Sequence, residues 1–132
     1  MTRRSVDAYF LDGAAWASTR AECKRRKVGA LVVKDGRVVG HGYNGTAPGA
    51  PSCLDGACPR GLLSYEEVTA SSDYSNCIAN HAERNALWLT PQRQREGSTV
   101  YVNHSPCRGC LTLMRSMGVA RVVWPDGEER LS

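Results

Sequence analysis

Two short strings of this sequence carry side chains that bind metal ions. His81-Ala82-Glu83 comes first, and Pro106-Cys107-Arg108-Gly109-Cys110 follows later in the chain. His81, Cys107 and Cys110 offer one imidazole and two thiolates, which are ligands that Zn²⁺ takes in a tetrahedral site. Three protein ligands leave the fourth position open to water, as in a catalytic rather than a structural zinc site. The residue types and spacing therefore predict a catalytic zinc centre.

Glu83 lies two residues past His81, where its carboxyl group can sit beside that water without binding the metal. Zinc lowers the pKa of a bound water toward about 7 and so supplies hydroxide at neutral pH. We predict that Glu83 is the catalytic proton carrier. A C-x-x-C pair also occurs in closed zinc ribbons and in redox pairs, but the sequence has no second C-x-x-C motif to complete a ribbon.

Helices and strands alternate around these residues. Hydrophobic periodicity and terminal residues predict three helices, at residues 5–22, 80–89 and 107–117. β-branched runs predict four strands, at residues 28–33, 37–41, 99–103 and 119–124, with Asp35-Gly36 as a hairpin turn. A long loop with a short helix near 62–70 is predicted over residues 42–73, and a polar tail after 124. This alternation predicts an α/β layered fold whose sheet is partly parallel.

The predicted helices place the metal ligands at helix starts. His81 and Glu83 fall near the beginning of the second helix, and both cysteines fall in the first turn of the third. Residues three apart share a helix face, so both thiolates can reach one ion. The positive end of a helix also favours thiolate over thiol.

Length and composition limit the class of protein. The 132 residues suit a single domain over 1–132, and 42% hydrophobic with 23% charged residues is ordinary for a globular protein. No apolar run reaches the ~18 residues of a membrane span, and the N-terminal residues lack an apolar signal segment, so we expect a cytoplasmic protein without membrane contacts. The net charge of +4 is scattered, which favours a small anionic substrate over a nucleic-acid polymer.

The zinc motif resembles that of the cytidine deaminase superfamily. Within it, three segments are similar to the deoxycytidylate (dCMP) deaminase family: 27–33, the Gly-Tyr-Asn-Gly loop within 41–49, and 81–87 together with 101–107. The resemblance covers residues 5–124. It implies a three-layer α/β/α domain around a mixed five-stranded sheet, assembly into homo-oligomers, and hydrolysis of dCMP to dUMP and ammonia.

The resemblance also implies contacts with the substrate. Asn44 is expected to contact the sugar, although a turn role is the alternative because Asn tolerates positive φ. The backbone N–H of Ala82 is expected to bind the pyrimidine carbonyl, and Ser105 to lie near the leaving amine.

The phosphate is expected on the basic stretch before the first strand, with Arg25, Arg26 and Lys27 as candidates. The sequence departs from the family pattern at Asn103-His104, where the family usually has a small or apolar pair. His104 either contacts the base or phosphate or faces solvent.

Four further cysteines have no role in the catalytic motif. Six cysteines without a signal segment indicate metal ligands or buried thiols before disulfides. Cys23 and Cys53 match two ligands of a second, structural zinc found in some family members, and Cys58 and Cys77 are candidates for the other two. The alternative is four free thiols, which are commonly buried.

Three other functions stay open on the sequence. The chain could deaminate another cytosine nucleoside, nucleotide or modified base. A polynucleotide-editing deaminase would need a basic channel with aromatic stacking platforms, which the scattered Trp16, Trp88 and Trp124 do not suggest. A non-enzymatic zinc-binding module is the last.

Overall fold

The computed structural model describes residues 3–21, 26–45 and 81–132. The helices in these ranges are α1 (Val6–Ser18), α2 (Ala82–Trp88), α3 (Gln92–Arg95) and α4 (Arg108–Ser116). The strands are β1 (Gly29–Lys34), β2 (Arg37–Tyr43), β3 (Thr99–Val102), β4 (Arg121–Trp124) and β5 (Gly127–Arg130). None of the helices in the described ranges has the length and apolar character needed to cross a bilayer.

The strands form one mixed five-stranded sheet in the order β2-β1-β3-β4-β5. β1 is antiparallel to both β2 and β3, and β5 is antiparallel to β4. β3 and β4 are parallel, which requires a crossover connection, and α4 supplies it. The predicted α/β sheet with a parallel part is confirmed.

The two faces of β1 bury different helices, because successive side chains of a strand point to opposite sides of the sheet. Leu31 packs with Phe10 of α1 in one buried cluster. Val32 packs with Ala86 of α2 and Met114 of α4 in the other. The described residues therefore form three layers, α/β/α, with the helices that carry the zinc motif on one side.

The hairpin between β1 and β2 follows the turn chemistry of its sequence. Asp35 and Gly36 both have positive φ, 52° and 77°. Positive φ at both central residues defines the type I′ turn, whose twist matches that of paired strands, and Asp-Gly is one of its preferred sequences. The hairpin prediction is confirmed.

Close packing of α2 on β2 depends on Gly42. A Cβ atom there would lie 2.5 Å from the backbone nitrogen of Ala86 and 3.0 Å from the carbonyl oxygen of Ala82. Contacts this short would displace the helix backbone, since that distance is far inside van der Waals contact. The missing side chain therefore sets the position of α2 on the sheet.

Two elements differ from the sequence-based predictions. The stretch after Trp124 is not a polar tail, because β5 pairs antiparallel with β4. Glu128 and Glu129 of this edge strand form ion pairs with Arg121 and Arg115, respectively. The charged residues of β5 were therefore interpreted as a tail and not as a strand. The short helix α3, which follows Pro91, was not predicted. The predicted helix near 62–70, and the loop beyond residue 45, lie outside the described residues.

Asp7 joins the start of α1 to the sheet. Its carboxylate accepts hydrogen bonds from the Arg121 guanidinium at 2.8 Å and from the Tyr101 hydroxyl at 2.7 Å. The bond from Arg121 holds the pKa of Asp7 below its usual value, while burial raises the pKa of Tyr101 to about 12. The three side chains therefore link the outer helix to the third and fourth strands.

We expect Asp7→Asn to lower the free energy of unfolding at pH 7 and to lose this effect in acid. Because the pKa of Asp7 in the folded state lies below its reference value of 3.8, its ionised form stabilises the fold above about pH 4, and the contribution disappears as the pH falls through the folded-state pKa. With the Asp7 side chain 41% exposed, solvent screening limits the effect to about 1 kcal/mol.

Urea unfolding of both proteins at about pH 7 and about pH 2.5 measures this difference. Asp12→Asn is the matched control, since Asp12 pairs with Arg4 in a more exposed ion pair. If the free energy of unfolding differs between wild type and the Asp7 variant by the same amount at both pH values, the ionised Asp7 carboxylate is not the source of the stability.

Candidate metal centre

The starts of α2 and α4 meet after the carboxyl end of β3. His81 is the N-cap residue of α2 and Cys107 is the N-cap residue of α4, with Cys110 in the first turn. The Nδ1 atom of His81 lies 3.1 Å from the Cys110 sulfur and 3.5 Å from the Cys107 sulfur. All three ligand atoms lie within 4.8 Å of one another. The fold thus brings the three predicted ligands together.

The chemistry and spacing of this donor set fit zinc. Zn–S bonds of about 2.3 Å and Zn–N bonds of about 2.0–2.1 Å in a tetrahedron place nitrogen and sulfur roughly 3.6 Å apart, close to the observed separations. The backbone N–H of Cys110 also donates to the Cys107 sulfur at 3.4 Å, which holds that sulfur at the start of α4 beside the other two ligands. Three protein ligands leave a fourth coordination position for water.

Glu83 lies in the first turn of α2 with 4% of its surface exposed. Burial raises the pKa of Glu83, while its own backbone N–H, the charge of His81 and a hydrogen bond with Cys110 act in the opposite direction. Burial and the nearby charges of Glu83 and Cys107 raise the pKa of the Cys110 thiol. A deprotonated sulfur in this position calls for a cation beside it, as a zinc site provides. The carboxyl group therefore adjoins the ligand set and is shielded from bulk solvent.

Asn44 lies just after β2, 9% exposed, with its side chain bonded to the backbone that precedes β1. Its Oδ1 accepts from the Val28 N–H at 2.9 Å, and its Nδ2 donates to the Arg26 carbonyl at 2.7 Å. An amide side chain has two donor hydrogens and two acceptor lone pairs, so these bonds use half of its capacity. The structure thus gives Asn44 a backbone-holding role that the sequence did not indicate.

The candidate phosphate ligands point in different directions. Lys27 donates its ammonium group to the Ala21 carbonyl at 3.1 Å, on the α1 side of the sheet. Burial lowers the pKa of the His104 imidazole, and the positive charge of Arg26 lowers it further. Arg26 therefore lies near His104. Both Arg26 and His104 are exposed.

The remaining predicted contacts lie at the helix starts or outside the described residues. Ala82 is the first residue of α2, where backbone N–H groups have no partner within the helix. Ser105 is exposed on the segment between β3 and α4. Arg25 and the four cysteines predicted for a second zinc, Cys23, Cys53, Cys58 and Cys77, lie outside the described residues.

Two further asparagines escaped the sequence-based predictions. Asn85 of α2 donates Nδ2 to the Tyr43 carbonyl at 2.7 Å, which ties the helix carrying Glu83 to the loop carrying Asn44. Asn103, noted only as a departure from the family pattern, accepts from the Gly29 N–H at 2.8 Å. No local pattern reveals such contacts, because each joins residues more than 40 positions apart along the chain.

Comparison with known proteins agrees with this site. Residues 4–125 match the family model of the cytidine and deoxycytidylate deaminase zinc-binding region. The deoxycytidylate deaminase of Mycobacterium phage D29 is 46% identical over 129 residues, covering 95% of this chain and 98% of that protein. The deoxycytidylate deaminase of Schizosaccharomyces pombe is 36% identical over 92% of this chain, which spans 37% of its length.

A solved structure is also similar. The dCMP deaminase of cyanophage S-TIM5, in complex with dCMP and dUMP, superposes with a TM-score of 0.66 and 28% identity, covering 94% of this chain and 83% of that one. The fold and the Cys₂His donor set define a zinc-dependent hydrolytic deaminase. The chain belongs to the cytidine and deoxycytidylate deaminase family, which residues 4–125 match.

Proposed function

We propose that this enzyme hydrolyses dCMP to dUMP and ammonia. The observation that carries the proposal is the Cys₂His donor set with Glu83 buried beside it, in a chain that is 46% identical to a deoxycytidylate deaminase over 98% of that protein's length. The cyanophage enzyme solved with dCMP and dUMP supports the same substrate and product.

In this proposal each residue of the site has a defined role. His81, Cys107 and Cys110 hold zinc, which when bound supplies an activated water for attack on C4 of cytosine. Glu83 accepts a proton from the attacking water and delivers it to the ring nitrogen. It then carries the second proton, from the new C4 hydroxyl, to the amine, so that the C4–N bond breaks, ammonia leaves and the carbonyl forms. The Ala82 N–H binds the pyrimidine carbonyl, as the first N–H of a helix, which has no partner within the helix, allows.

The rest of the nucleotide would extend from the metal centre towards the segment before β1. We place the leaving amine near Ser105 and the sugar near the Asn44 amide, which keeps a second donor hydrogen and a second lone pair beside its bonds to Val28 and Arg26. Arg26 is the favoured phosphate ligand, with His104 beside it, because Lys27 is directed to the Ala21 carbonyl. A guanidinium can bind two phosphate oxygens at once, which suits this role.

Further parts of the proposal concern the domain, its location, a second metal site and assembly. We infer a single deaminase domain over residues 1–132, acting in the cytoplasm on a small nucleotide, with a second zinc held by Cys23, Cys53, Cys58 and Cys77. We also infer a homo-oligomer, supported by the exposed apolar end of α2, where Trp88 is 61% and Leu89 is 87% exposed. Light scattering measures the assembly, and metal analysis measures the zinc per chain.

The substrate is tested by following deamination of dCMP, deoxycytidine, CMP and free cytosine by ultraviolet absorbance. We expect kcat/KM for dCMP to exceed that for deoxycytidine by at least about 10²-fold, since a site that pairs with a charged group discriminates against a substrate lacking it. If zinc-loaded, folded protein deaminates another cytosine compound but not dCMP, the proposed reaction is correct and the proposed substrate is wrong.

A further inference from the structure

The chain immediately before β1 lies between two asparagines. β1 is flanked in the sheet by β2 and β3. Asn44 directly follows Tyr43, the last residue of β2, and Asn103 directly follows Val102, the last residue of β3. Since both strands run antiparallel to β1, their carboxyl ends reach the residues that precede it. The two amide side chains therefore flank residues 26–29 from opposite sides.

Each asparagine bonds this segment as a neighbouring strand would. Asn44 bonds the Arg26 carbonyl and the Val28 N–H, at 2.7 and 2.9 Å. Asn103 bonds the Lys27 carbonyl at 3.3 Å and the Gly29 N–H at 2.8 Å. Each amide thus pairs with a carbonyl and with the N–H two residues further on, the pattern of a parallel strand. Residues 26–28 therefore continue the line of β1 in extended form, held by the two amide side chains and by the backbone N–H of Asn44, which donates to the Val28 carbonyl at 3.1 Å.

An extended segment sends alternate side chains to opposite faces of the sheet. Val28 packs against the buried cluster that includes Ala82 and Cys110, on the side of the metal ligands. Arg26 shares that face because it lies two residues before Val28. Lys27 belongs to the opposite face, in agreement with its bond to the Ala21 carbonyl. The extended backbone that the two asparagines bond thus places Arg26, and not Lys27, on the metal side.

We propose that Asn103 is a positioning residue that, together with Asn44, holds Arg26 in place to bind the substrate's phosphate, and that selection of nucleotide over nucleoside depends on it. The inference rests on the proposed function. Asn103 acts through the backbone without touching the substrate. A planar guanidinium binds phosphate well only in the correct orientation, so a loose backbone at residue 26 weakens this contact more than it weakens the chemistry.

Asn103→Ala tests the proposal through kcat and KM for dCMP and for deoxycytidine. We expect KM for dCMP to rise about tenfold with kcat changed by less than about threefold, and kcat/KM for deoxycytidine to change by less than about threefold. Inhibition by dUMP and by deoxyuridine gives the same comparison if deoxycytidine turnover is slow. Gln92→Ala is the control, because it removes an exposed amide that donates to Glu96, and we expect wild-type constants from it.

A double-mutant cycle identifies the route of the effect. In an Arg26→Gln background, Asn103→Ala should change KM for dCMP by less than about twofold, because the residue it positions is gone. Asn103→Ser keeps one polar atom and repeats the test in a milder form if the alanine variant does not fold.

Equal losses for dCMP and deoxycytidine, or an undiminished effect in the Arg26→Gln background, would show that Asn103 only stabilises the fold and would overturn the proposal. Unchanged KM in both Asn103 variants would overturn it while leaving the proposed function intact. Wild-type protein that deaminates deoxycytidine but not dCMP would overturn the proposed function and this inference together.

Discussion

Glu83→Gln is expected to lower kcat for dCMP deamination by at least about 10²-fold while the zinc content stays at the wild-type value. Glutamine has nearly the shape of glutamate, so the fold and the ligands should persist. It cannot accept a proton at neutral pH, and with position 83 only 4% exposed, bulk water does not replace the lost carboxylate. Steady-state kinetics and zinc analysis of the same preparation give the two values.

Glu129→Gln is the matched control, because it makes the same chemical change in an exposed ion pair with Arg115. We expect its kcat and stability to match wild type, since such pairs contribute little. If kcat of the Glu83 variant lies within about threefold of wild type, Glu83 is not the catalytic proton carrier. Zinc-loaded, folded wild type with no deaminase activity on any cytosine compound would favour a non-enzymatic zinc module.

Cys110→Ser is expected to remove one zinc per chain relative to wild type and to reduce dCMP turnover by more than about 100-fold. Removing only a residue that hydrogen-bonds a metal ligand typically lowers metal affinity or activity by about 10–100-fold. Removing the ligand itself should therefore lower them by more. A serine hydroxyl ionises far less readily than a thiol and replaces it poorly at zinc. Because Cys110 also packs in the buried cluster, a lower melting temperature should accompany the loss.

Metal analysis, activity and thermal unfolding check this expectation. Thr112→Ser, an exposed change on the same helix, should keep the zinc and the activity. Counting zinc relative to wild type separates this centre from the second site proposed on other cysteines, whose zinc would remain. Full zinc content together with full turnover in the Cys110 variant would contradict the assignment of the donor set.

The catalytic chemistry was predictable from the sequence because it depends on residue types at short spacing. One imidazole and two thiolates are a ligand set typical of zinc. Two cysteines three residues apart at the start of a helix share a face, and this depends only on the helix itself. The hairpin at Asp35-Gly36 was predictable for the same reason, since local backbone preference selects its turn.

The surroundings of the site were decided by tertiary structure. Periodicity did not reveal β5, because its charged side chains pair with arginines that only the sheet brings close. The position of α2 depends on the missing side chain of Gly42, and the segment before β1 is held by bonds from Asn44 to the Arg26 carbonyl and from Asn103 to the Lys27 carbonyl. Those bonds span 18 and 76 residues of sequence. They form only once β1 lies between β2 and β3, a strand order set by the burial of both sheet faces and by no local pattern.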